Sequence, residues 1–214
     1  MRMIAEDGDT FGRTEVFVGG HPLPNDAGHA ASLEVLELVD GAGPDDLFIV
    51  VVSGGSSALM NVPVEGISVA DEALTTDILL KSGAGIYEVN AVRRHISQTN
   101  GGRLAERIGR TGAELIGIGI SDAVGKPATS DIGEPDPAYQ STPIGPDSTT
   151  LDDARRMIAD YGLRERLPRS VVDYLDAAGP EAETPKAFPG NTYFVVNTLP
   201  DLAVAALGAA AEHG

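Results

Sequence analysis

The chain contains neither cysteine nor tryptophan among its 214 residues. It therefore has no means of forming a disulfide bond or a thiolate metal site. Aromatic residues make up only 5% of the sequence, so Val, Ile, Leu and Ala must build most of the core. The sequence also lacks an apolar run that resembles a signal peptide or approaches the length of a transmembrane helix. These absences predict a cytoplasmic protein without a membrane partner.

Basic residues are scarce. The chain has 15 Lys and Arg against 32 Asp and Glu, a net charge of −17, and its only lysines are Lys81, Lys126 and Lys186. A surface this acidic repels nucleic acid and anionic membranes, so neither is expected as a partner. The composition favours a halophilic protein, whose self-repulsion is screened in a high-salt cytoplasm. General solubility is the alternative explanation.

Short apolar runs rich in Val and Ile predict buried strands. At least two of them are apolar without alternation, which is typical of strands covered on both faces in a parallel sheet. The predicted strands are Glu15–Val18, Leu47–Val52, Glu114–Ile120 and Tyr193–Val196.

Helical patterns separate these runs. Strand–helix alternation predicts an α/β fold: one domain over residues 1–214, with three αβα layers and a mostly parallel, Rossmann-like sheet. One helix is expected to begin after Thr149 or Thr150 and to run through Ala159. The other predicted helices are Asp26–Val39, Asp71–Lys81, Ile86–Ile96, Arg103–Arg110, Val171–Ala178 and Leu202–Ala211.

Each predicted strand leads into a loop of small polar residues, and ligands of parallel α/β sheets bind at the carboxyl ends of strands. The second loop holds Ser53, Gly54, Gly55, Ser56 and Ser57. Glycines there let backbone N–H groups face a ligand, and a helix beginning at Ser57 would add its positive end, so phosphate or carboxylate is the expected occupant. A tight turn that binds nothing is the alternative. No lysine stands where a Walker loop requires one.

The segment 82–97 places Asn90, Arg93, Arg94 and Ser97 on one helix face. Arginine forks bind carboxylate and phosphate, whereas ordinary ion pairing to the many acidic residues is the alternative. The histidines His21, His29 and His95 lack metal-ligand spacing.

Asp122 stands two residues beyond a predicted strand, where it could meet Mg²⁺ or a substrate hydroxyl. Capping of a turn is the alternative role for this aspartate. The segment 125–148 that follows contains five prolines and no periodicity, so it is expected to be a functional or a disordered loop.

A set of motifs occurs in the order GGHPLPNDAG, SGGSSALMNVP, LLKSGAGIYEVNAVRRHIS, NGGRLAE, ISDAVG, PDSTTLDDA and ETPK. Together they resemble the glycerate 2-kinase family, some members of which are labelled hydroxypyruvate reductase. The resemblance spans the chain from about Glu15 to Gly214. It implies phosphoryl transfer from ATP to the 2-hydroxyl of D-glycerate, with Mg²⁺, in a cleft between two α/β domains.

Some family features are missing from this sequence. Family members begin with further strand–helix units that include a presumed catalytic lysine, and they continue into a C-terminal MOFRL domain. The resemblance therefore implies a partial chain that needs a complementing chain or a homo-oligomer. Two motifs also differ: Ser56 stands in the usual triple-glycine loop, and Thr142 replaces the glycine of a Ser-Gly-Pro sequence. A Cβ at either place would restrict a turn or crowd a phosphate.

The resemblance implies roles for particular residues. Asp122 and Arg93 would be catalytic, with Asp122 also holding Mg²⁺. The substrate or phosphate would be bound by His21, Ser53, Gly54, Gly55, Ser56, Ser57, Asn90 and Arg94. The alternative is a non-catalytic fragment or subunit that binds a small anionic ligand. Oxidoreduction has little support, because no Gly-x-Gly-x-x-Gly opens a helix after a predicted strand.

Overall fold

The computed structural model describes residues 10–11, 14–120, 143–188, 192–197 and 199–213. The described strands are β1 (Thr10–Phe11), β2 (Thr14–Glu15), β3 (Leu47–Val52), β4 (Glu114–Ile120) and β5 (Thr192–Asn197). The helices are α1 (Asp26–Asp40), α2 (Ser56–Leu59), α3 (Val69–Leu80), α4 (Ile86–His95), α5 (Arg103–Thr111), α6 (Leu151–Asp160), α7 (Arg169–Ala177) and α8 (Leu199–His213), with a 3₁₀ turn at Pro180–Ala182. Within these ranges no helix is long and apolar enough to cross a membrane.

The main sheet has the order β3-β4-β5, and both of its strand pairs are parallel. Leu47 of β3 aligns with Glu114 of β4, and Ile116 of β4 aligns with Thr192 of β5. The predicted α/β fold with a parallel sheet is therefore confirmed, and it is consistent with an αβα arrangement. The bounds of β3 and β4 match the prediction.

The first predicted strand is wrong. Strand β2 ends at Glu15 and pairs antiparallel with β1, so this strand does not join the parallel sheet. Residues 16–20 lie outside any strand, and Phe17 and Val18 are nearly half exposed. A short apolar run has the right hydrophobicity for a strand but carries no information about its pairing partner.

Helix starts follow local capping. Ser68 accepts a hydrogen bond from the Asp71 amide, so α3 begins at Val69, two residues before the prediction. Thr150 caps α6 and is bonded reciprocally to Asp153, which confirms Thr150 as the cap. Each cap satisfies amide groups that have no partner within the helix.

The buried apolar residues form two clusters. One lies between the sheet and helices α1 and α5, and it includes Leu36, Val52, Ile108 and Leu115. The other joins α3, α4, α6 and α7 around Leu79, Val92 and other fully buried side chains. Helix α4 contributes side chains to the second cluster and also carries Arg93 and Arg94. The packing of α4 therefore determines where those arginines lie.

One side of β3 remains uncovered by the described residues. Leu47, Ile49 and Val51 are 52%, 60% and 61% exposed, whereas Val52 is buried. Leu202, Val204 and Leu207 of α8 are also more than 60% exposed. We call Leu47, Ile49 and Val51 the open β3 face. Its apolar character is typical of a surface that contacts further protein.

Candidate functional site

The Gly-Ser loop, Ser53–Ser57, connects β3 to the short helix α2. Gly55 is the N-cap of α2 and has φ +89, a left-handed conformation that glycine adopts without steric cost. The Ser56 amide donates to the Ser53 carbonyl at 3.2 Å, which closes the turn. Ser53 and Gly54 are exposed, while Gly55, Ser56 and Ser57 are half-buried. The loop thus presents small residues and hydroxyl groups to solvent at the carboxyl end of a strand.

His21 lies beside this loop. A Cβ built on Gly55 would be 3.1 Å from Cδ2 and 3.3 Å from Nε2 of His21. The segment before α1 is held by Asn25, whose Oδ1 accepts from the Gly20 amide at 3.0 Å and the Gly28 amide at 2.9 Å. The structure therefore brings His21 and Gly55 together.

Arg93 lies beneath the same loop. Its Nη2 donates to the Ser57 carbonyl at 3.3 Å and to Ser57 Oγ at 3.4 Å, and its Nη1 donates to Asn90 Oδ1 at 3.2 Å. The residue is only 9% exposed. Burial lowers the pKa of Arg93, and the charge of nearby Glu72 opposes that effect. A guanidinium in this position places positive charge directly behind the Gly-Ser loop.

Three residues that sequence reasoning missed complete the floor of the loop. They are Asn61, Glu72 and Asn100, each at most 4% exposed. Asn61 Nδ2 donates to Glu72 Oε1, and Asn100 Nδ2 donates to Asn61 Oδ1 at 3.1 Å. Asn100 Nδ2 also lies 3.1 Å from the Ser57 carbonyl oxygen, which therefore faces both Arg93 and Asn100.

Arg94, the other member of the pair, is placed differently. Its side chain is fully buried, and Nη1 donates to Asp147 Oδ1 at 2.6 Å. Asp147 also accepts from the hydroxyls of Thr149 at 2.8 Å and Thr184 at 2.9 Å. The ordinary ion pair that the sequence left open matches this contact, and an anion-binding role for Arg94 stays a prediction.

The motifs PDSTTLDDA and ETPK meet at the end of α4. The Asp147 amide donates to the Pro185 carbonyl at 2.9 Å. His95 is fully buried, with Nδ1 2.7 Å from the Ala91 carbonyl oxygen and Nε2 2.7 Å from Glu183 Oε1. Lys186 Nζ donates to Glu183 Oε1 at 3.0 Å. Two distant segments are thereby fastened to the helix that carries Arg93.

Glu183 has an unusual acidity. Partial burial alone would raise its pKa, but hydrogen bonds from His95, Lys186 and the backbone amides of Leu151 and Thr184 outweigh burial and lower the pKa to about 2. Because the unfolded pKa of a glutamate is higher, at about 4.3, the folded state holds the ionised form more strongly. This contribution to stability is complete above the unfolded pKa and is lost as pH falls toward 2.

We therefore expect Glu183→Gln to lower the free energy of unfolding at neutral pH and to flatten its fall between about pH 4.5 and 2. Urea unfolding across that pH range measures both effects. Glu165→Gln, at an exposed position, is the matched control and should follow the unsubstituted chain. If the free energy of unfolding of Glu183→Gln fell between about pH 4.5 and 2 as steeply as that of the unsubstituted chain, Glu183 would not be the source of this pH dependence.

The metal prediction is not covered by the structure. Asp122 lies outside the described residues, as does most of the segment 125–148. Over the described ranges, no three or more His, Asp and Glu residues are grouped so that they could hold a metal ion.

The site formed by the Gly-Ser loop, His21 and Arg93 has features that fit an anion. Gly55 has no Cβ where His21 approaches, and Arg93 Nε is a buried donor without a hydrogen-bond partner among the described residues. The loop, His21 and Arg93 are therefore suited to a phosphate or carboxylate group.

Comparison with known proteins shows which family and which solved structures the chain resembles. A family model described as a domain of unknown function, DUF4147, matches residues 3–176. A glycerate 2-kinase of Pyrococcus horikoshii is 42% identical over 77% of this chain and 35% of its own length. A D-glycerate 2-kinase of Thermotoga maritima is 33% identical over 94% of this chain and 44% of its own length. The crystal structure of Thermotoga maritima glycerate kinase superposes with a TM-score of 0.77 at 32% identity, covering 96% of this chain and 46% of that one. The chain thus spans less than half the length of these relatives.

Proposed function

Because this chain belongs to the glycerate 2-kinase family through its DUF4147 domain, we propose that it takes part in phosphoryl transfer from ATP to D-glycerate. The γ-phosphoryl group passes to the 2-hydroxyl oxygen, the hydroxyl proton leaves to a base, and the products are 2-phosphoglycerate and ADP. Such a transfer depends mainly on positioning and on neutralising charge. The observation that carries the proposal is Arg93, a buried cation in contact with Ser57 of the partly exposed Gly-Ser loop.

In this proposal the loop residues Ser53, Gly54, Gly55, Ser56 and Ser57 bind an anionic group of a substrate. Gly54 and Gly55 allow the backbone to approach the oxygens, and the serine hydroxyls donate hydrogen bonds. The group bound is a phosphate or the glycerate carboxylate.

Arg93 supplies positive charge from beneath the loop, oriented by Asn90 through the Nη1 hydrogen bond. His21 contacts the substrate from beside Gly55. Arg94 is proposed to affect the bound anion indirectly, because it is the neighbour of Arg93 on α4. Mg²⁺, when bound, supplies further neutralisation of phosphate oxygens, and Asp122 is the residue proposed to hold it or to accept the hydroxyl proton.

The alternative is a non-catalytic subunit that binds a small anion and works with another chain. The open β3 face favours it, because half-exposed Leu, Ile and Val side chains are typical of a surface that packs against more protein.

The deciding experiment follows phosphoglycerate formation by phosphorus NMR. The purified chain is incubated with ATP, D-glycerate and Mg²⁺ in molar KCl, and glycerate is omitted from the control. Product above the control supports the kinase proposal. No product from a chain that circular dichroism shows to be folded favours the binding subunit, and the parts of the relatives that this chain does not match are then supplied as a second chain.

A substitution tests the role of Arg93. Arg93→Lys keeps a cation near Glu72 but loses the fork that reaches Ser57 and Asn90 together, so we expect turnover to fall about 10- to 100-fold. Where turnover is absent, affinity for inorganic phosphate by calorimetry is the measurement. Arg110→Lys, at an exposed position on α5, is the matched control. Equal values for the two variants would remove Arg93 from the mechanism.

A further inference from the structure

The buried floor of the Gly-Ser loop contains a carboxylate to which the proposed mechanism assigns no step. Glu72 is 2% exposed and lies on α3, an element with no residue in the loop itself. Its Oε1 accepts from Asn61, while Oε2 is buried without a hydrogen-bond partner among the described residues. A buried carboxylate that is only partly hydrogen-bonded is costly, so its presence requires an explanation.

The contacts of Glu72 lead to one atom of the loop. Asn61 connects Glu72 to Asn100 at 3.1 Å, and Asn100 Nδ2 reaches the Ser57 carbonyl oxygen at 3.1 Å. Ser97 Oγ donates to Asn61 Oδ1 at 2.5 Å and fixes the orientation of this amide. With Oδ1 occupied as an acceptor, Asn61 must direct its Nδ2 donor at Glu72.

Charge gives a second route to the same atom. The charges of Glu72 and Arg93 act on one another, and Arg93 Nη2 donates to the same Ser57 carbonyl. An isolated guanidinium as buried as Arg93 is unfavourable, and a facing carboxylate compensates it. Replacing Glu72 therefore disturbs both donors that hold Ser57.

We propose that Glu72 is a positioning residue for the Gly-Ser loop, which holds the Ser57 carbonyl through Asn61 and Asn100 on one side and Arg93 on the other. The assignment rests on the proposed function only in supposing that the loop binds an anion. Glu72 touches no substrate in this arrangement. Its effect is to hold the Ser57 carbonyl, and with it the turn that begins α2, in one orientation.

The environment of Glu72 links the loop to pH. Burial raises the pKa of Glu72 to about 7, with the charge of Arg93 and the hydrogen bond from Asn61 opposing the rise. Arg93 faces Glu72 from α4. On α7, which also packs against α3, Arg169 and Asp173 pair with each other at exposed positions, and Ser170 bonds to Asp71. The loop is thus expected to change its geometry as Glu72 loses its proton near neutrality.

Glu72→Gln tests the proposal, because it keeps an acceptor for Asn61 and removes the charge that faces Arg93. We expect the NMR amide signals of Ser57 and Asn100 to shift, loop amides to exchange faster with solvent, and affinity for inorganic phosphate to fall about tenfold, the effect of losing one good contact. Asp77→Asn, a half-buried carboxylate on the same helix that pairs with Lys81, is the matched control and should change none of these.

A second measurement follows the pH titration of the unsubstituted chain and of the Glu72→Gln chain. In the unsubstituted chain, the Glu72 carboxyl carbon and the amides of residues 57–61 are followed together from pH 5 to 9. A common midpoint for the Glu72 carboxyl carbon and the loop amides supports the proposal. The titration of the loop amides should also disappear in the Glu72→Gln chain, which retains His21 and every other titratable group. Loop amides that stay constant while Glu72 titrates would overturn it. Absence of phosphate binding in every chain would contradict the proposed function and leave the amide comparison decisive for Glu72.

Discussion

Arg94→Met is expected to lower the free energy of unfolding by about 3–5 kcal/mol, the usual cost of removing one partner from a buried ion pair. Both Arg94 and Asp147 are fully buried, and their Nη1–Oδ1 distance is 2.6 Å. Without the guanidinium, the Asp147 carboxylate keeps hydrogen bonds from Thr149 and Thr184 but loses its facing charge. These hydroxyls and the Thr149 amide, which donates to Oδ1 at 2.9 Å, compensate a buried carboxylate less well than a facing charge does. Urea unfolding in concentrated KCl is the measurement.

Two further variants separate the effect of losing the buried charge from the effect of losing side-chain packing. Arg110→Met removes an exposed arginine paired with Glu106 and should cost at most about 1 kcal/mol. The double variant Arg94→Met, Asp147→Leu removes both buried charges and should recover a large part of the loss, because apolar replacements of a buried pair are often tolerated. A loss below about 1 kcal/mol for Arg94→Met would show that the pair contributes little.

Gly102→Ala is expected to cost about 2–4 kcal/mol, through strain and crowding together. Gly102 precedes α5 with φ +81, a conformation that alanine adopts only at a cost. A Cβ there would meet the Phe188 ring and would lie 2.7 Å from the Gly145 carbonyl oxygen. The ring can turn, but the carbonyl belongs to the backbone, so the segment 143–145 must move.

Gly66→Ala isolates the strain. Gly66 has φ +88, and a Cβ on it would have nothing within 4 Å, so the substitution should cost only about 1–2 kcal/mol. The difference between the two variants measures the crowding at Gly102. Equal melting temperatures for both would mean that the neighbourhood of Gly102 relaxes freely.

Much of the fold was predictable because hydrophobic periodicity is local. The run at Leu47–Val52 and the cap at Thr150 each carry their signal within a few residues, and the structure confirms both. The extent of the first strand could not be predicted, because the apolar character of residues 16–18 does not identify the strand with which they would pair. Pairing is a long-range property that periodicity does not encode.

The candidate site was predictable in part for the same reason. Glycines after an apolar strand mark the loop, and helical spacing joins Asn90 to Arg93. The different surroundings of Arg93 and Arg94 depend on Ser57 and Asp147, which are remote in sequence. Glu72 did leave a signal: with Thr75, Thr76 and Leu79 it repeats at three, four and seven residues, so a charged residue heads a buried stripe.

The open β3 face also affects how stability depends on temperature. Leu47, Ile49 and Val51 are already hydrated in the folded chain, so unfolding exposes less new apolar surface there than it would in a sheet covered on both sides. Heat capacity rises on unfolding in proportion to that new apolar surface, by about 12–15 cal/mol/K per residue in ordinary domains. A smaller rise flattens the stability curve, so the free energy of unfolding should fall less on cooling than in a chain of equal length whose sheet is covered on both sides.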